Sequence, residues 1–160
     1  MPGPGTNFVG GPVMSGTTLG SPPANNGDMG GVVLQQDVTL TQNGTNTVDV
    51  TMLLPGGAQI IDIIVDTTTA WNSGTSDTLS VGTASGGTQY ASGVDVKAGA
   101  ARIRPTFTTT QLTNMLAIST ASPQATIHVT VTPVGTAANA GSTTVTILYV
   151  QTVQLTLGSS

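Results

Sequence analysis

Short runs in which apolar and polar residues alternate recur along the chain from about residue 35 onward. In residues 125–134, Ile127, Val129 and Val131 alternate with His128, Thr130 and Thr132. This period of two is typical of a strand with one buried face. About eight such runs, separated by Gly- and Pro-containing turns, predict an all-β, antiparallel β-sandwich. A jelly-roll-like arrangement is the expected form, although a simple sandwich and a jelly roll share this pattern.

Two local signals refine the expected elements. Asn43-Gly44 separates the alternating runs 35–42 and 45–54, and this dipeptide favours a tight hairpin because both residues tolerate positive φ. Thr108 and Gln111 have the spacing of a capping box, which predicts a short helix over residues 109–115.

Residues 1–31 differ from the rest, because Gly and Pro interrupt any regular element. They predict an extended N-terminal arm ahead of a sandwich domain over residues 32–160. The apolar residues of the arm are isolated rather than periodic and are candidate anchors on a partner: Phe8, Val9, Val13, Met14 and Leu19.

Two strands are apolar on both faces. Ile60 and Ile64 are expected to point opposite to Ile61 and Ile63, and Leu148 and Val150 opposite to Ile147 and Tyr149. Something must cover the outer side chains, because burying each one contributes roughly 1.5–3 kcal/mol. Loops of the same sandwich could cover them, but a subunit interface in a homo-oligomer is the favoured interpretation. The interface residues are then Ile60, Ile64, Leu148 and Val150.

The amino-acid composition limits the classes of function that the chain can have. Only 6% of the residues are charged, whereas 38% are hydrophobic, so a core can form. The net charge of −4 and the three basic residues argue against a nucleic-acid surface. No apolar run reaches the ~18 residues that span a bilayer. The surface is rich in Thr, Ser, Gly and Asn, as in extracellular proteins, but the N-terminus lacks the pattern of an export signal. Virion proteins combine these properties.

Candidate chemistry is sparse, and we expect no enzyme, cofactor, metal site or small-molecule substrate. His128 is the only histidine, and no G-x-S-x-G motif accompanies it; an exposed strand histidine is favoured over a catalytic triad. Asp62 and Asp66 would be roughly 13 Å apart on one strand, too far for paired carboxylates. For Asp66 and Asp77, a solvated loop with Asp caps is favoured over a calcium site.

Two features leave alternatives open. Lys97, Arg102 and Arg104 cluster in an otherwise nearly uncharged chain, either as a solubilising edge or as a contact with an acidic partner or neighbouring subunit. Trp71 follows a strand directly and is either a core lid or an interface anchor.

A resemblance adds to this interpretation. Three segments resemble sequence segments of small structural proteins of tailed bacteriophages: residues 66–82 (DTTTAWNSGTSDTLSVG), 93–98 (GVDVKA) and 144–151 (TVTILYVQ). From about Gly31 onward, the sequence pattern of the chain is similar to that of head decoration, or cement, proteins. That resemblance implies a β-sandwich, often a trimer on local three-fold axes of the capsid, with no catalytic residues.

The expected function is therefore that of a capsid decoration protein on the outside of the virion, made in the host cytoplasm. It would bind the major capsid protein, as a homotrimer, and the arm would thread between capsid neighbours. The alternative is a head-fibre, tail or adhesin-like module that binds a host surface glycan.

Overall fold

The structure of the protein is a computed structural model, and it describes residues 33–44, 46–116, 118 and 123–151. The predicted arm, with all five of its anchor residues, lies outside them. The described elements are eight strands and one helix: β1 Val33–Thr41, β2 Val48–Pro55, β3 Ala58–Thr69, β4 Ser76–Gly82, β5 Ala91–Asp95, β6 Ala101–Ile103, α1 Thr109–Met115, β7 Gln124–Val134 and β8 Ser142–Gln151.

The strands form two four-stranded sheets with the orders β1-β8-β3-β6 and β2-β7-β4-β5. Every pairing is antiparallel. The prediction of an all-β antiparallel sandwich is confirmed. Because inward residues alternate with outward ones, each sheet contributes one apolar face to a common core.

The core is built mainly from β-branched and aliphatic residues of the central strands. Ile63, Val65 and Ile147 of the first sheet and Leu79 and Val129 of the second are all completely buried. Trp71 is 1% exposed and belongs to the same cluster. Of the two interpretations of Trp71, the core position is therefore the one observed.

The hairpin predicted at Asn43-Gly44 is wrong. Gly44 does have a positive φ of 115°, but β1 pairs with β8 over its full length while β2 pairs with β7. The connection therefore crosses from one sheet to the other. Pairing with strands 69 to 117 residues away, which no local signal encodes, overrides the local turn preference.

A β-bulge corrects the predicted facing of Ile60 and Ile61. The register of β3 on β8 shifts between Ile60 and Asp62, and the extra residue reverses the alternation on one side of it. Ile60 consequently faces the core and is 3% exposed, whereas Ile61 faces outward and is 47% exposed. Ile60 is therefore not part of an outer surface, contrary to the prediction, and Ile61 takes its place.

The predicted helix is confirmed with its cap. The Thr108 hydroxyl accepts a hydrogen bond from the Gln111 backbone N–H (3.2 Å), and the Gln111 side-chain oxygen accepts one from the Thr108 N–H (2.9 Å). The Gln111 amide group also donates to the Thr88 carbonyl and to the Ser92 hydroxyl, which fixes α1 against β5 and the loop before it.

Candidate interaction surface

The outer face of the first sheet carries an apolar strip. Antiparallel register places Val150 beside Val33, and Leu148 beside Asp62 of β3. Val33 and Ile61 are 54% and 47% exposed, and Ile64, Leu148 and Val150 are half-buried. We call these five residues the apolar strip: Val33, Ile61, Ile64, Leu148 and Val150. The structure thus brings three of the four predicted interface residues to one face.

Two ion pairs border the apolar strip on the β6 side. The Arg102 guanidinium donates two hydrogen bonds to the Asp66 carboxylate, at 2.7 and 3.0 Å. The Arg104 Nε lies 3.4 Å from an Asp62 oxygen. Asp62 and Asp66 flank Ile64 along β3, so charge and apolar surface alternate here. The charged residues therefore lie among the apolar residues on β3 and beside them on β6.

The electrostatics of these pairs follow from the contacts. The hydrogen bond and charge of Arg102 hold the pKa of the Asp66 carboxyl below its usual value, and the same bond raises the pKa of the Arg102 guanidinium. The side chains of Arg102 and Arg104 remain 70% and 69% exposed. Their donors therefore stay accessible to a partner molecule.

Lys97, predicted to act together with the two arginines, has a different environment. It follows β5 of the second sheet, and its half-buried ammonium donates to the Ser73 carbonyl. The Asp95 carboxylate accepts hydrogen bonds from the backbone N–H groups of Lys97 and Ala98. Lys97 thus holds a loop, whereas Arg102 and Arg104 lie on the outer face of the first sheet.

The outer face of the second sheet is mostly polar. Thr51, Thr126 and Thr132 are exposed on it. The exposed apolar residues Leu53 and Val134 lie near opposite ends of the β2–β7 pair. The two outer faces of the sandwich are therefore unlike, and the apolar strip belongs to the first sheet.

His128 lies on this second face. It is half-buried and contacts a carboxylate, whereas the sequence predicted an exposed histidine. Its Nδ1 is 2.8 Å from Asp49 Oδ2, and the Thr130 hydroxyl donates to Asp49 Oδ1 at 2.6 Å. The side chains of His128 and Asp49 are 24% and 25% exposed. Asp49 was not predicted as a partner of His128, because its direct pairing with Thr130 across β2 and β7 depends on register.

The order of contacts in this network differs from that of a catalytic triad. In a triad the imidazole lies between the carboxylate and the nucleophilic hydroxyl. Here the carboxylate lies between imidazole and hydroxyl, so the Thr130 proton is directed to Asp49. Thr130 also accepts a hydrogen bond from the Gly86 N–H at 2.9 Å. The arrangement fastens a loop to the sheet and does not activate a nucleophile.

Burial alone would raise the pKa of Asp49, but it is lowered overall. The hydrogen bonds from Thr130 and His128, and the charge of His128, outweigh the effect of burial. Asp49 is accordingly a carboxylate held ionised by its neighbours.

Asp77 has a structural role. Asp77 is completely buried rather than solvated, and its Oδ2 accepts a hydrogen bond from the Ser73 N–H at 3.0 Å. It caps the loop that follows Trp71. Within residues 33–44, 46–116, 118 and 123–151, no group of three or more His or Asp side chains is placed to hold a metal ion.

Comparison with known proteins adds a likeness of fold. No protein-family model and no curated protein matches the chain. A chain of a solved structure titled "Cyanophage Pam1 capsid asymmetric unit" is similar, with a TM-score of 0.55 and 21% sequence identity. The match covers 85% of this chain and 94% of the other. At that identity the likeness concerns the fold.

None of the helices in the described part of the chain has the length and apolarity to span a membrane.

Proposed function

We propose that this protein is a structural component of a phage virion, a decoration or cement protein that binds the major capsid protein and stabilises the head without catalysis. The observation that carries the proposal is the apolar strip, with its ion pairs, on the outer face of the first sheet. The fold likeness to a chain of a phage capsid structure supports the same assignment.

The energetics favour use of this face as an interface. Each side chain of the apolar strip that loses contact with water contributes roughly 1.5–3 kcal/mol if fully buried. Three of the five are already half-buried, so the gain per subunit is smaller, and several weak contacts must act together. A trimer on the particle multiplies such contacts without new chemistry. We therefore retain the homotrimer, on the exterior of the virion, as part of the proposal.

The strand pairing supports the jelly-roll form of the sandwich. β1 pairs with β8, β2 with β7, β3 with β6 and β4 with β5. This nesting is what results when a long antiparallel hairpin of four strand pairs is rolled into two sheets, and jelly rolls are common in viral capsid proteins.

The N-terminal arm has a separate role in the proposal. Its residues Phe8, Val9, Val13, Met14 and Leu19 are the proposed anchors on the capsid. We expect a chain lacking residues 1–30 to fold as a sandwich but to lose binding to the particle. Full occupancy by that shortened chain would contradict this role of the arm.

The central test is binding to heads that lack this protein. In the variant Ile64→Asp/Leu148→Asp, two charges replace apolar side chains at half-buried outer positions. We expect the Kd for the heads to rise at least tenfold, which corresponds to about 1.4 kcal/mol. The control Thr126→Asp/Thr132→Asp carries the same added charge on the second sheet and should bind as the wild type does. Equal binding of both variants would contradict the proposal.

A further inference from the structure

Within the described residues, the edge of β1 that faces away from β8 differs from the other sheet edges. β1 is nine residues long and pairs with β8 without a register shift. Among the described strands it lies at the edge of the first sheet, as β6 does at the other end. β6 has three residues, β5 has five and contains Gly93 at φ +65°, and β2 ends in Pro55. Edge strands in proteins are usually blunted by short length, Pro, charged side chains or a bulge; of these features β1 has only one, the charge of Asp37.

The edge of β1 can therefore accept another strand. In an antiparallel pair, backbone N–H and C=O groups of alternate residues point to the neighbour, so the alternate residues of β1 direct theirs away from β8. Both faces of the strand at its start are apolar and exposed, with Val33 at 54% and Leu34 at 39%. An added strand would find both backbone partners and apolar contacts there.

Asp37 determines which strand fits. It is the central residue and the sole charge of β1; it is exposed and forms no ion pair with the described residues. If β1 of two copies paired antiparallel with full overlap, Asp37 would lie directly opposite its own counterpart. Like charges directly opposite each other destabilise a strand pair, whereas opposite charges stabilise it.

We propose that β1 is a strand-addition site for an extended segment of a different protein that carries Lys or Arg opposite Asp37. Self-pairing is disfavoured by the Asp37 charge, and a basic strand is selected by it. The identification of that segment with part of the major capsid protein rests on the proposed function, but the properties of the edge do not.

The site can be tested with the protein itself as the probe. Asp37→Lys converts β1 into a basic strand, so an equimolar mixture of wild type and Asp37→Lys should form a complex with the summed mass of the two components. The mass of each protein measured alone should not rise with concentration, because self-pairing would bring like charges together at residue 37. Asp37→Asn, which removes the repulsion, should self-associate. Mass is read by light scattering after size-exclusion chromatography.

Amide hydrogen exchange identifies the surface used. In the mixture, exchange should slow at alternate residues of Val33–Thr41, the pattern that an added strand produces. The control Thr126→Lys/Thr132→Lys matches the added charge but places it on the second sheet, and its mixture with wild type should show neither change.

The outcomes separate the two proposals. An unchanged mass in the mixture would overturn the strand-addition site, and so would added protection only at residues outside β1. The third contradicting result is equal protection, in the wild type alone, of the β1 amides that point away from β8. If one of these results is obtained and the wild type still binds to heads, the strand-addition site is wrong but the proposed function is not contradicted. Association through β1 combined with no binding to heads would overturn the proposed function instead.

Discussion

Gly141 lies directly against the indole of Trp71, where a Cβ on residue 141 would be 2.5 Å from Cδ2 and 2.7 Å from Cγ of the ring. Gly141 also has φ +154°, which L side chains rarely adopt. We expect Gly141→Ala to lower the free energy of unfolding by about 1–3 kcal/mol, because the rigid, buried ring cannot move away. Urea unfolding measures the difference.

Gly99 provides the control for this prediction. It has nearly the same φ, +151°, but no atom lies within 4 Å of its would-be Cβ. Gly99→Ala therefore reports the backbone strain alone. Equal losses of stability in the two variants would show that contact with Trp71 has no effect.

The hydroxyl of Thr143 stabilises the same region. It accepts a hydrogen bond from Trp71 Nε1 at 2.8 Å and is 3.1 Å from the Thr67 hydroxyl, all three residues being buried. Thr143→Val keeps the shape but leaves the indole N–H without an acceptor, and we expect a loss of about 1–3 kcal/mol. Thr144→Val, on the outer face, should cost less; a similar loss in both variants would contradict the role assigned to the Trp71 bond.

Asp49 should make the free energy of unfolding depend on pH. Its pKa is lowered in the folded protein, so its contribution is fully present above its unfolded pKa of about 3.9 and is lost as the pH falls towards the folded pKa. Asp49→Asn should therefore be less stable than wild type at pH 7, by about 1–3 kcal/mol. The difference should shrink below about pH 4. Urea unfolding at both pH values is the measurement, and a difference that grows on acidification would contradict this assignment.

The capping box of α1 allows a graded prediction. Thr108→Ala removes one cap and should cost about 1 kcal/mol. Gln111→Ala should cost more, because the Gln111 side chain also donates to Thr88 and Ser92 and is 5% exposed. Thermal unfolding of both variants gives the order, and a larger loss for Thr108→Ala would show that the contacts beyond the cap contribute little.

The features that depend on neighbouring residues were predictable from the sequence. Alternation identified β7 and β8, and the spacing of Thr108 and Gln111 identified α1. Both signals act within a few residues, where sequence order and spatial proximity coincide. The prediction that Leu148 and Val150 face outward together also depends on alternation alone.

The features that depend on long-range pairing were not predictable. The Asn43-Gly44 dipeptide favours a hairpin locally, but the partners of β1 and β2 are β8 and β7. A single bulge moved Ile60 into the core, and nothing in the residues around it signals an insertion in the register. Likewise, the Asp49–His128–Thr130 network exists only because two distant strands align in one register.

A density map of assembled phage heads that contain this protein tests the central claim most directly. We predict a sandwich on the outside of the shell, present at a regular position on the capsid lattice, with Ile64, Leu148 and Val150 buried against a capsid or sister subunit. A map in which these three side chains face solvent on every copy, or in which the chain forms a fibre away from the shell, would contradict the account.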